Sequence, residues 1–84
     1  MKINDLYLSR TVGTNTVLMN KQDPQKMVKL NETAAFILSK VANGLSEKEI
    51  ALSLAGEYDV SSDQAEKDTQ KALSDLMRLG IVEA

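Results

Sequence analysis

The sequence contains no cysteine and no histidine. Without cysteine the chain forms no disulfide bond, which fits a reducing compartment. Without thiolate or imidazole groups it cannot build the usual zinc or copper sites. The most common general base and the thiol nucleophile are absent for the same reason. The composition therefore argues against an enzyme and predicts neither a metal site nor a bound cofactor.

Long apolar runs are missing as well, since no stretch approaches the roughly 18 apolar residues of a membrane span. Residues 1–10 are charged and lack the apolar core of a secretory signal. We therefore expect a cytoplasmic protein with no membrane partner. Its 84 residues suffice for one domain, so we expect a single unit with a sheet in residues 1–30 and helices in residues 31–84.

The sequence also lacks the motifs of two common functions. Its four glycines stand singly, so no glycine-rich phosphate loop is present. The size and acidity resemble those of an acyl carrier protein, whose attachment serine usually follows an aspartate. No Asp-Ser dipeptide occurs in this chain, which argues against that function.

Charge is distributed unevenly along the chain. The net charge is −2, yet residues 1–30 hold five basic and two acidic residues, whereas residues 31–84 hold five basic and ten acidic ones. Ordinary solvated surface explains such a split. The alternative is a polarised binding face.

The first third of the chain has the pattern of β-strands. Tyr7–Val12 alternates with a period of two, and 16–20 resumes a β-rich run after the turn residues 13–15. A polar loop containing Pro24 follows, and Met27–Leu30 then forms a short third strand. We therefore predict a hairpin followed by one more strand.

The remainder has the pattern of three helices. Asn31 and Ser46 are good N-caps, and Glu49 completes a capping box with Ser46. Helix 3 begins near Ser61 or Ser62, where Ser61 and Gln64 form a weaker box. Ile81-Val82 is a short apolar tail that we expect to pack back onto the core. The apolar positions of the helical stripes predict a core of Ile37, Leu38, Val41, Ile50, Leu54, Leu73 and Leu76.

This element order predicts an α+β fold, similar to a winged helix, in which a small three-stranded antiparallel sheet precedes a three-helix bundle. A helix-turn-helix suggests a regulator that binds nucleic acid, and this function remains the alternative. Its recognition helix would need positive charge to neutralise phosphates. Helix 3 is instead slightly acidic, with Asp63, Glu66, Asp68 and Asp75 against Lys67, Lys71 and Arg78.

Four segments, in order and spacing, resemble the PqqD-like family. Residues 30–37 (LNETAAFI) match its opening motif Leu-Asn-x-[Ser/Thr]-[Ala/Gly]-x-x-[Ile/Leu], and residues 44–50 (GLSEKEI) match its Gly-x-[Ser/Thr]-x-x-Glu-Ile motif. Residues 58–60 (YDV) resemble its Tyr-x-Val turn, and residues 68–82 (DTQKALSDLMRLGIV) resemble its Asp-to-Gly-Ile ending. The preceding hairpin is also similar, so the resemblance covers most of the chain.

This resemblance implies a RiPP recognition element, a non-catalytic peptide chaperone of natural product biosynthesis. Such domains bind the leader of a ribosomally made precursor peptide and present it to a modifying enzyme, often a radical SAM protein. The leader adds as a strand beside strand 3 and packs on helix 3. The implied peptide-binding positions here are Met27, Val28, Lys29, Leu30, Asp68, Lys71, Ala72 and Asp75.

Two points stay open at the level of sequence. Helix 3 has a second flank, the side of Gln70 and Met77, and the sequence does not decide which flank borders the groove. The family's founding member serves pyrroloquinoline quinone synthesis, but the resemblance does not fix the pathway of this chain.

Overall fold

The computed structural model describes residues 1–13 and 15–84, in which a three-stranded antiparallel sheet precedes three helices. The predicted α+β class is confirmed, although winged helix describes the fold only loosely. The predicted turn at 13–15 includes position 14, which lies outside the described residues. The elements are β1 (Lys2–Ile3), β2 (Tyr7–Val12), β3 (Asn15–Asn20), β4 (Met27–Leu30), α1 (Glu32–Ala42), α2 (Glu47–Tyr58), α3 (Ser62–Arg78) and β5 (Val82–Glu83).

The three predicted strands form one sheet in the order β2-β3-β4. The predicted third strand is β4, with the bounds expected from the sequence. In the register of the sheet, Leu18 of β3 lies opposite Val28 of β4, and Thr16 lies opposite Leu30. The central strand β3 is therefore paired on both sides, whereas β4 has one free edge.

A second, two-stranded sheet joins the two ends of the chain and was not predicted. Lys2 pairs with Glu83 and Ile3 with Val82, in antiparallel register. Beside this pair, the Asn4 amide donates to the Ile81 carbonyl at 2.8 Å. Ile81 and Val82 are buried, which confirms that the apolar tail packs onto the core.

The helix starts are those predicted from the capping residues. The Asn31 side chain accepts from the Ala34 amide at 2.8 Å. The capping box of α2 is complete, because the Ser46 hydroxyl accepts from the Glu49 amide and the Glu49 carboxylate accepts from the Ser46 amide.

The start of α3 is capped on one side only. The Ser61 hydroxyl accepts from the Gln64 amide at 3.1 Å. The Gln64 side chain instead donates to Asp68 at 2.8 Å, within the helix. The weaker box expected from the sequence is therefore half formed.

All seven predicted core residues are buried. The core also includes side chains from the sheet, from the start of α3 and from the chain end. These additional residues are Leu18, Leu30, Ala65, Ile81 and Val82. One core thus joins the inner face of the sheet to all three helices.

Leu54→Ala tests this core, because Leu54 is only 1% exposed at the centre of α2. We expect the variant to lose about 2–5 kcal/mol of unfolding free energy, through lost burial and a residual cavity. Chemical denaturation measures this loss. Leu52→Ala is the matched control, since Leu52 lies on the same helix and is 62% exposed. Equal effects of the two substitutions would contradict the assigned face of α2.

The capping box of α2 predicts a pH dependence of stability. Hydrogen bonds from the Ser46 amide and hydroxyl hold the pKa of Glu49 below its ordinary value. Because the folded-state pKa is depressed, the contribution of Glu49 is present above its unfolded pKa. It is lost as the pH falls through the folded pKa. The stability difference between the parent and Glu49→Gln, from urea melts, should therefore shrink on acidification. A stability difference that stays constant down to acid pH would show that the ionised Glu49 carboxylate does not stabilise the helix start.

Candidate functional site

A groove of about 440 Å³ lies between β4 and α3. One wall is β4, the other is one flank of α3, and the first turn of α1 closes the base. The lining residues are Val28, Lys29, Leu30, Asn31, Thr33, Ala34, Asp68, Lys71, Ala72, Asp75, Leu76, Arg78 and Leu79.

The free edge of β4 presents backbone groups in a defined pattern. The Asn20 amide donates to the Lys26 carbonyl at 3.1 Å, so these opposed residues form a hydrogen-bonded pair. Such pairs alternate along an antiparallel ladder. The backbone groups of Val28 and Leu30 therefore bond to β3, and those of Met27 and Lys29 point away from the sheet. The outward N–H and C=O groups of β4 belong to Met27 and Lys29.

The side chains of β4 alternate in the same way. Leu30 is buried in the core, and Val28 packs against it. Met27 is 59% exposed on the opposite face and does not line the groove. Lys29 is exposed but borders the groove.

The wall formed by α3 has a small residue at its centre. Ala72 is partly buried, and its methyl group leaves room between Lys71 and Asp75. Leu76 is buried one turn further along, whereas Leu79 is 45% exposed at the helix end. The groove thus has an apolar interior with charged side chains on its rim.

The rim is more positive than negative. Asp75 pairs with Arg78 at 3.1 Å, and Asp68 accepts from the Gln64 side chain at 2.8 Å. Within residues 1–13 and 15–84, neither Lys29 nor Lys71 forms a salt bridge. The two acidic groups are therefore partly satisfied inside the protein, whereas two cations remain open to a ligand.

Seven of the eight residues named from the sequence line this one groove, and Met27 is the exception. The flank of α3 at the groove is the side of Ala72. Gln70 and Met77 are not among the lining residues.

Sequence reasoning missed six lining residues, namely Asn31, Thr33, Ala34, Leu76, Arg78 and Leu79. A signal for the first three was present, because a single residue separates β4 from α1 and the first turn of α1 must therefore border the same space. Leu76 had been assigned to the core alone.

Over the described residues there is no cluster of three or more histidine, cysteine or carboxylate groups able to hold a metal ion. Nor is any helix formed by these residues long and apolar enough to cross a bilayer.

The family model described as "Coenzyme PQQ synthesis protein D (PqqD)" matches residues 15–82, and the chain therefore belongs to the PqqD family. No curated protein matches the chain significantly.

Two solved structures are similar over almost their whole length. One is TbiB1 in complex with the TbiA(beta) leader peptide, with 26% identity, a TM-score of 0.88 and coverage of 100% of this chain and 96% of that one. The other is lasso peptide synthetase B1 complexed with the leader peptide, with 24% identity, a TM-score of 0.87 and coverage of 99% and 96%. At 24% identity, the similarity to the second structure shows only that the two chains share a fold.

The pairing pattern of β4 predicts amide hydrogen exchange in the free protein. The amides of Met27 and Lys29 should exchange quickly because they face solvent, whereas those of Val28 and Leu30 should be protected by β3. NMR exchange measures each amide separately. The amides of Val17 and Leu18 on the central strand are the protected reference. Protection of Lys29 together with fast exchange of Val28 would mean that the register is shifted by one residue.

Proposed function

We propose that this member of the PqqD family captures the leader segment of a ribosomally made precursor peptide and presents it to a modifying enzyme. The observation that carries the proposal is a free strand edge that forms one wall of a groove with apolar side chains inside it and charged ones on its rim. The similarity to TbiB1, which was solved in complex with a leader peptide, supports it.

The leader would add to β4 as a fourth strand. The outward N–H and C=O groups of Met27 and Lys29 offer an extended peptide the bonds that a neighbouring strand would make. Main-chain bonds of this kind supply affinity whatever the peptide sequence, and pockets for alternate side chains supply selectivity.

The pocket for such a side chain lies opposite β4. Ala72 leaves space on α3, and the buried Leu30 and Leu76 give the space an apolar lining. An apolar leader residue that enters this space would leave water and anchor the peptide. The groove thus favours a leader with at least one large apolar side chain.

Charge on the rim favours an acidic leader. Lys29 and Lys71 stand on opposite walls without salt-bridge partners in the part of the chain that the structure describes. A leader strand beside β4 would meet Lys71 on its groove side and Lys29 on its outer side, so carboxylates on either of its faces would meet a cation. At an exposed rim such contacts raise the association rate and set direction and selectivity more than affinity.

The chain would act as a binding partner without catalysis of its own. It has no histidine or cysteine to serve as base or thiol nucleophile, so the chemistry would come from the enzyme, such as a radical SAM protein. We take residues 1–84 as one peptide-recognition domain, and its action in the cytoplasm remains a prediction from the sequence. The acidic helix α3 does not favour the nucleic-acid alternative.

The binding mode is tested with a leader peptide taken from a short peptide gene found next to this one. NMR titration should show shifts along Met27–Leu30 and the groove flank of α3, with a dissociation constant between about 1 nM and 1 μM, or about −12 to −8 kcal/mol. Ala72→Trp should fill the groove and weaken binding tenfold or more while the fold survives. Leu52→Trp is the matched control, because it adds the same ring to an exposed helix position away from the groove.

Proline substitutions separate the backbone from the side chains. Lys29→Pro removes an outward amide and should weaken leader binding more than Lys29→Ala, which removes only the charge. Val28→Pro removes an amide bonded to β3 and should destabilise the protein itself. Shifts confined to α2 or the hairpin turn would refute the proposed groove. Modification of the precursor by this chain alone would refute a non-catalytic role.

A further inference from the structure

The sheet has a second face, which the helices leave uncovered. Side chains alternate along each strand, so the residues that flank Leu18 and Leu30 point away from the core. The strand register aligns these residues in rows across the sheet. We call this surface the outer face, and it consists of Leu8, Arg10, Val12, Val17, Met19, Met27 and Lys29.

The first row of the outer face is apolar. Leu8, Met19 and Met27 lie side by side on the three strands. Leu8 is 54% exposed and Met27 59%, and Val12 at the end of β2 is 63% exposed. Single exposed apolar residues are common on protein surfaces, but neighbouring ones in a continuous patch mark an interaction site.

The second row carries only positive charge. Arg10 and Lys29 flank Val17, at a separation of two strand spacings, or about 10 Å. Neither cation forms a salt bridge with any residue that the structure describes. No acidic residue lies among the outer-face positions, although the whole chain carries a net charge of −2.

This charge pattern decides between the partners that an apolar face accepts. A second copy stacked face to face would bring the same cations together without a carboxylate between them. An anionic membrane would attract the two cations by only about 1 kcal/mol each. It would also repel residues 31–84, which hold ten acidic against five basic residues. A protein surface with an apolar centre and carboxylates about 10 Å apart matches both rows.

The outer face is continuous with the edge that the leader would occupy. A fourth strand beside β4 would place every second leader side chain on the outer face, next to Met27 and Lys29. The face would then widen from three strands to four, or from about 14 to about 19 Å. Because strands of four to six residues are only about 13–20 Å long, a face of either width has an area below about 400 Å². This is less than the roughly 800 Å² that each partner buries in a stable complex, and the wider face comes closer to it. A partner would therefore bind the leader-loaded chain better than the free chain.

We propose that the outer face is the docking surface for the modifying enzyme, which binds it through an apolar patch bordered by carboxylates. Its completion by the leader rests on the proposed function. Because coupling between binding sites is reciprocal, the docked enzyme would also tighten the hold on the leader. The enzyme would thereby bind mainly chains that carry a leader, and chains without a leader would compete for it only weakly.

The test measures two affinities for each variant by biolayer interferometry. One is for the leader alone, and the other is for the purified enzyme that modifies the same precursor peptide, with and without saturating leader. Leu8→Glu and Arg10→Glu should each weaken enzyme binding tenfold or more. Both should leave leader affinity within twofold of the parent, because neither residue lines the groove. Leu52→Glu, at a position on α2 that is 62% exposed, should change neither affinity.

The outcomes separate this inference from the proposed function. If the parent does not bind the leader, the proposed function fails, whatever the enzyme does. If the leader binds normally but the parent fails to bind the enzyme, or Leu8→Glu binds it as the parent does, only the docking surface is refuted.

Two further results would also overturn the docking surface. One is a parent dimer in sedimentation equilibrium that Leu8→Glu dissociates, since the face would then join two copies. The other is parent binding to vesicles of equal parts phosphatidylserine and phosphatidylcholine that Leu8→Glu abolishes.

Discussion

The groove depends on β4 keeping one edge unpaired while its other edge is fixed in the sheet. Backbone N–H and C=O groups that lack a protein partner must find water or a ligand. Such an edge also invites association with other chains, and proteins limit the risk with short edge strands and charged side chains. Here β4 has four residues and carries Lys29 at its exposed position. The edge is thus long enough to bind a short extended segment and too short to template a large sheet.

The position of the second wall follows from how β4 joins α1. A single residue, Asn31, separates them and caps α1 with its side chain. Leu30 and Ile37 are buried in the same core as Leu73 and Leu76 of α3. Because well-packed interiors deform little, the distance between β4 and α3 is set by the core and not by loops. The groove is therefore largely formed before any ligand arrives, which reduces the ordering cost of binding.

Much of this arrangement could be predicted from the sequence, because its signals are local. Asn31 and Ser46 fix the helix starts, and the apolar stripes identify the core faces. The side of α3 at the groove could not be predicted, since a helix has two flanks beside its buried stripe and only tertiary packing selects one. The sequence also could not predict which amides of β4 face outward, because this depends on the register between β4 and β3. The pairing of Ile3 with Val82 left no signal at all, since two-residue strands have no periodicity.

That last pairing places the two ends of the chain side by side. Lys2 lies directly opposite Glu83, and residues paired in this way have Cα atoms about 5 Å apart. A linker of a few residues would join them, so a circularly permuted chain with new ends in an exposed turn should keep the same core. For the same reason the domain could be inserted into a surface loop of a larger protein. The two ends of that loop would not have to move apart, because the two ends of the inserted domain are adjacent.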